Sequence, residues 1–178
     1  MLQSSFVGTT KLPLTVRMRR SPFWERSNAA GAQGYIVYNH MLIATGFAGP
    51  EEDYRHLKSA VQVWDVGVER QIEISGPDAL KLLEKVLARS ISNLKIGKAR
   101  YAIACLENGG ILMDGVVMRL EKNRYWYVKA DGEFDTWLKA HAIGLDVQII
   151  DPNSWVLQLQ GPTSLKVMRV ATNGMLDE

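Results

Sequence analysis

The spacing of apolar residues changes several times along this chain, and each change predicts an element. From Val68 to Ser75 apolar and polar residues alternate, with Ile72 and Ile74 on one side and Gln71 and Glu73 on the other, the mark of a half-buried strand. Ser75-Gly76-Pro77-Asp78 then opens a helix whose apolar stripe is Ala79, Leu80, Leu83 and Leu87. Tyr101–Leu106 and Ile111–Leu120 flank Glu107-Asn108-Gly109-Gly110, a hairpin signal because Asn and Gly tolerate positive φ. Glu121-Lys122-Asn123-Arg124 reads as a second turn into a strand over Tyr125–Ala130. Phe134, Trp137, Leu138 and His141 recur at helical spacing, with Gly144 placed to end that helix. Val147–Ile150 and Trp155–Gln160 read as strands and Pro162–Ala171 as a last helix.

Upstream the pattern is weaker. Residues 1–20 read as a tail, and aromatics and glycines between Ser21 and Phe47 predict turns and short strands. Gly49-Pro50-Glu51-Glu52-Asp53 starts a helix: proline suits its first position, and three acids oppose the positive end of its dipole. Tyr54, Leu57 and Val61 are expected on one face of it. One stretch echoes another: Ile72-Glu-Ile-Ser-Gly-Pro-Asp-Ala-Leu80 and Leu157-Gln-Leu-Gln-Gly-Pro-Thr-Ser-Leu165 share the order strand, Gly-Pro, helix. Gly-Pro is a good strand-to-helix corner in any protein, so the echo alone decides nothing. The element order predicts an α+β fold, antiparallel sheets with flanking helices.

Composition narrows the classes. The 178 residues are 47% hydrophobic and carry a net charge of +2, too small a field to expect nucleic acid or a membrane surface as partner. No apolar run approaches the roughly 20 residues that span a bilayer. Cys105 is the only cysteine, so no intrachain disulfide can form, a cysteine-based metal cluster is not expected, and a reducing compartment, by default the cytoplasm, is. Residues 1–24 hold no acid but include Lys11, Arg17, Arg19 and Arg20; a flexible basic tail is the preferred reading and a transit segment the alternative. Signatures for dinucleotides, phosphate loops, serine hydrolases and zinc peptidases are missing.

Few residues stand out for chemistry. His56 and His141 lie in helical patterns as surface or boundary residues, whereas His40 lies in the irregular Tyr38-Asn39-His40-Met41. Asp114 interrupts an apolar run from Ile111 to Val117, where a carboxylate costs energy unless paired or employed. Trp126, between Tyr125 and Tyr127, faces opposite to both, as core or as a flat surface for a ring or a cation.

Several segments, in order, resemble the glycine-cleavage T-protein family of tetrahydrofolate-dependent transferases. They are Ser21-Pro22-Phe23, Val63-Trp64-Asp65-Val66, Ile72 to Leu80, Gly97-Lys98-Ala99-Arg100-Tyr101, Glu107-Asn-Gly-Gly-Ile111 with Asp114, and Leu159-Gln-Gly-Pro162. Tyr38 to Met41 and Val61 to Arg70 look closest to the branch that includes dimethylsulfoniopropionate demethylase. The resemblance implies three lobes around a folate site. Residues 21–178 would be part of the folate-binding region, about 66–145 an inserted α+β lobe, and the family's C-terminal barrel absent. It also implies a small methyl or aminomethyl donor: a sulfonium, ammonium or amine.

Where the aminomethyltransferases carry two successive aspartates, this chain has Met113 and Asp114. On the resemblance the first acid is the catalytic one, and its replacement favours a demethylase-like reaction. Asp114 remains as the candidate catalytic-site acid, orienting donor or folate, with Tyr101, Tyr38, His40 and Trp126 as candidate binding residues. Tyr101 and Asp114 are expected to meet diagonally across the hairpin and share a cavity, with His40 and Trp126 at its rim and Asp114 sharing its strand face with Leu112 and Val116; if those two are core residues, Asp114 is the polar exception at the edge of an apolar wall. The alternatives are a non-catalytic folate-binding module, and a subunit active only with a separate C-terminal chain or by self-association.

Overall fold

In the computed structural model residues 17–176 are described; most of the expected tail, residues 1–16, lies outside them. The first elements are α1 (Trp24–Ala29), β1 (Gly34–Tyr38), β2 (Met41–Gly46), α2 (Pro50–Ser59) and β3 (Gln62–Asp65). β1 and β2 form an antiparallel hairpin closed by Asn39 and His40, at φ 49° and 57°. Two positive φ values are what a two-residue hairpin turn needs, and Asn is among the residues that tolerate them. Arg19 bridges to Met41, so this residue of the expected tail is paired. Phe47 N and Ala48 N donate to the Asp53 carboxylate at the start of α2. The helix ends at Ser59 and buries no residue, and Tyr54 is 61% exposed, so the expected face of Tyr54, Leu57 and Val61 does not form.

The larger part follows: β4 (Gln71–Ser75), α3 (Ala79–Val86), β5 (Ala99–Cys105), β6 (Ile111–Glu121), β7 (Arg124–Lys129), α4 (Phe134–His141) and β8 (Gln148–Ile150). They build one antiparallel sheet in the order β5-β6-β7-β4-β8, so the expected α+β class holds. Leu82 and Leu83 of α3 and Phe134 and Leu138 of α4 join Ile72, Ile74, Tyr125 and Tyr127 of the sheet in one buried cluster. The α3 stripe is Ala79, Leu82, Leu83 and Val86, not the expected set: Leu80 is only half-buried and Leu87 is buried just past the helix end.

β4 departs from expectation, because Gln71 and Glu73 are buried as well as Ile72 and Ile74. The Glu73 carboxylate is satisfied by neighbours: Arg124 Nη2 and Trp126 Nε1 both donate to Oε2, at 2.9 and 2.7 Å. Gly115 is required where it stands, since a Cβ there would lie 2.2 Å from Val128 O and 2.7 Å from the Tyr127 ring. That ring crosses β6 so that its hydroxyl donates to Ala102 O of β5, 2.8 Å away.

β9 (Leu157–Gln160) and α5 (Ser164–Ala171) complete the described chain, with β9 paired antiparallel to β3. The sequence echo is a structural repeat. Gly76 and Gly161 turn the two corners at φ 126° and 135°, and a Cβ on either would strike a carbonyl oxygen, Asp146 O at 2.5 Å or Ala60 O at 2.3 Å. Each of those oxygens accepts from the residue two beyond the glycine, Asp78 N and Thr163 N. The ladders agree residue by residue: Ser75 faces Gln148 as Gln160 faces Gln62, and Glu73 faces Ile150 as Gln158 faces Trp64. β4, however, has β7 on its second edge, and β9 has no described strand on its second edge. No helix among the described residues is long and apolar enough to cross a membrane.

Candidate functional site

The β5–β6 ladder pairs Tyr101 with Val116 and Ile103 with Asp114, so Tyr101 and Asp114 are diagonal neighbours on one face, as counted from the hairpin. The Tyr101 hydroxyl donates to Asp114 Oδ2 at 2.5 Å. That bond holds the Tyr101 proton and raises its pKa above the usual phenol range. Burial raises the Tyr38 hydroxyl too, helped by the negative charges of Glu69, Asp131 and Asp114, which brings Tyr38 into the electrostatic neighbourhood of the pair.

The face carrying Asp114 is not the core face. Met113 and Val117 point into the helix-covered core, and Leu112, the extra residue of a bulge in β6, packs against its edge, whereas Asp114 and Val116 are half-buried on the opposite face. Met113, buried in that core, does not share a face with Asp114. Strand alternation delivers Asp114 to the face away from the helices. None of the three principal cavities among the described residues is lined by Tyr101 or Asp114; the pair stands on an open wall. A cavity of about 320 Å³ lies between β2, α2 and β3, and its acids are already engaged, Asp53 by backbone N–H groups and Asp65 by the Ser21 hydroxyl.

Trp126 shares the open face, opposite to buried Tyr125 and Tyr127. Pairing of Met118 with Trp126 and of Val116 with Val128 puts it about 13 Å from Asp114 at the usual strand rise, with Val116, Met118 and Val128 between. His40 is elsewhere: exposed at the β1–β2 turn, its Nε2 is 2.8 Å from Glu133 Oε1. Its neighbour Asn39 fixes that turn to the large sheet, donating from Nδ2 to Val68 O and Ala130 O and accepting from Lys129 Nζ. Sequence reading passed over Gln71. It is buried on the open face, and its Oε1 has no hydrogen-bond partner; an alternating strand hides such a residue among ordinary solvent-facing polar positions.

Residues 23–177 match the family model described as the GCVT N-terminal domain. The dimethylsulfoniopropionate demethylase of Ruegeria pomeroyi is 41% identical over 154 residues, 85% of this chain and 42% of the demethylase. An aminomethyltransferase of Shouchella clausii is 27% identical over 93% of this chain and 46% of its own length. The crystal structure of the glycine cleavage system aminomethyltransferase T of Bartonella henselae superposes with a TM-score of 0.78 at 26% identity, covering 87% of this chain and 44% of that one. This chain thus spans less than half the length of these relatives.

Proposed function

This chain belongs to the family of the GCVT N-terminal domain, whose curated members include folate-dependent methyl- and aminomethyltransferases, and from that membership we propose that it forms the folate-facing part of a one-carbon transferase of the demethylase-like kind. The observation that carries the reading is the hydrogen-bonded Tyr101–Asp114 pair at one end of an apolar wall open to ligand. The wall suits tetrahydrofolate. Val116, Met118, Val128 and the Trp126 indole offer a flat apolar surface for a ring. The second oxygen of Asp114 and the unpartnered Gln71 Oε1 are acceptors for the N–H groups that such a ring carries. When bound, tetrahydrofolate supplies the nitrogen that accepts the one-carbon unit. In this reading Asp114 orients that ligand, Tyr101 fixes the carboxylate, and Tyr38 borders it.

The donor is proposed as a small sulfonium, on the higher identity to the demethylase than to the aminomethyltransferases. A sulfonium asks little of an acid, because its leaving group departs neutral, so positioning provides most of the rate. The second edge of β9, unpaired among the described residues, and the exposed side of α5 support the further reading that catalysis needs more polypeptide packed against them, as β7 packs against β4.

The test is calorimetric titration of tetrahydrofolate into the chain alone and into the chain mixed with the remaining portion of the Ruegeria demethylase. Alone it is expected to bind more weakly than about 10 μM, near −7 kcal/mol. The mixture is expected to bind more tightly and to transfer methyl from dimethylsulfoniopropionate, with Asp114→Asn and Tyr101→Phe each weakening binding at least fivefold. Unchanged affinity in both variants overturns the site.

A further inference from the structure

A second, polar cavity of about 210 Å³ opens on the helix-covered side of the sheet, at the start of α4, where it is bordered by Arg19, Arg70, Lys129, Glu133, Asp135 and Asp151. Its acids and bases differ in how fully they are engaged. Each carboxylate is already matched: Asp151 by Arg70 Nη2, Glu133 by His40, Asp135 by Lys139.

The cations keep unspent donors. Arg70 is 4% exposed; its Nη1 donates to Ser154 O and its face lies 4.2 Å from the Trp155 ring, yet Nε is buried with no partner. Lys129, also buried, gives two of its three ammonium protons, to Asn39 Oδ1 and Gly132 O. The Arg19 guanidinium has one hydrogen bond among the described residues, a long one of 3.5 Å to Asn39 O. α4 adds its positive end, for its N-cap residue, Glu133, makes no side-chain cap. A buried N–H with no partner costs free energy that a matching acceptor recovers.

We propose that this cavity is an oxyanion-binding site, taking a phosphate or carboxylate group on Arg70 Nε, Lys129 Nζ and the Arg19 guanidinium. Its volume exceeds several times the roughly 30 Å³ of one water in the liquid, room for such a group on a small metabolite. The exposed Arg19 stands at the mouth, where it recruits the anion, and the buried pair holds it. The cavity lies on the opposite side of the sheet from Asp114 and, although Gln71 borders it too, the three cations that carry it are not used in the transferase reading, so each can fail without the other.

The Arg70 Nε–H group reports directly by nuclear magnetic resonance. In the full chain at fixed ionic strength, sodium phosphate and sodium acetate are titrated separately against sodium chloride. The expected result is a saturable shift of the Arg70 Nε–H signal with phosphate, acetate or both, the arm that saturates first identifying the group, and none with chloride. Arg19→Ala, an exposed position that leaves the core untouched, is expected to weaken binding at least threefold. A shift that follows ionic strength alike in all three salts overturns the proposal, and so does unchanged affinity in Arg19→Ala.

Discussion

The chain contains the same corner twice, in two different states of completion. Around Gly76, β4 lies between β7 and β8, and α3 buries Ala79, Leu82, Leu83 and Val86. Around Gly161, β9 has β3 as its one partner among the described residues, and α5 buries none of its residues. The strand counterparts show the difference: Ile72 is 4% exposed and Leu157 is 40%. Local sequence is thus enough for the glycine corner, the helix and the ladder register, since both copies have them. What it does not confer is burial, which depends on strands supplied from farther along a chain.

Core deletions should separate the copies most. Leu83→Ala is expected to cost about 2–5 kcal/mol in denaturant unfolding, as for buried leucines generally. Met168→Ala, at the matching place in α5, should cost less than about 1 kcal/mol. Similar losses in the two would mean that α5 has a core of its own.

The corners come next. Gly76→Ala and Gly161→Ala each force a Cβ onto a carbonyl oxygen at positive φ, and strain of that kind costs about 1–3 kcal/mol. The readouts should differ: Gly76→Ala lowers the global melting temperature, whereas Gly161→Ala leaves it nearly unchanged and speeds hydrogen exchange in β9 and α5 alone.

A smaller effect concerns pH. Hydrogen bonding from Arg124, and then from Trp126, holds the Glu73 carboxyl below its usual range in spite of burial. A pKa lowered by folding stabilises the protein above the unfolded value, near 4.5, and that contribution disappears as pH falls through the folded value. Glu73→Gln should therefore flatten the loss of stability below about pH 4.5 in acid titration. Gln158, the counterpart in β9, makes no such pair, and Gln158→Glu should leave the acid limb unchanged.

Smallest of all is Tyr101→Phe. Tyr101 is 51% exposed, so removing its hydroxyl should change unfolding free energy by no more than about 0.5 kcal/mol. A larger loss would make the Tyr101–Asp114 bond part of the fold more than of the site.

Much of the large sheet was legible because its signals are local: the Asn108-Gly109 hairpin, the Gly76 corner and the opposite facing of Trp126 follow from turn chemistry and a period of two. The diagonal meeting of Tyr101 and Asp114 was legible by counting from the turn. Which side of β6 the helices cover was not. Leu112, Met113, Val116 and Val117 give that strand two apolar sides, so alternation separates Met113 from Asp114 without saying which of them faces the core. Burial of Glu73 was hidden too, because its partners are 51 and 53 residues away in sequence. α1 escaped notice because its six residues, none of them buried, show no apolar stripe.

The Tyr127 hydroxyl, passing over Gly115 to the carbonyl of Ala102, has a consequence for cooperativity. β5 is an edge strand, and edge strands usually fray first, through sub-global openings that cost less than complete unfolding. A side chain rooted in β7 and fastened to β5 ties the edge to the centre of the sheet, so β5 cannot lift away without unseating a buried ring. Exchange of the β5 amides should then proceed through the same opening as β4 and β7, as one foldon. Tyr101, next to the fastened Ala102, would share that protection while its own side chain stays accessible, giving a residue on a sheet margin the positional certainty of one in the middle.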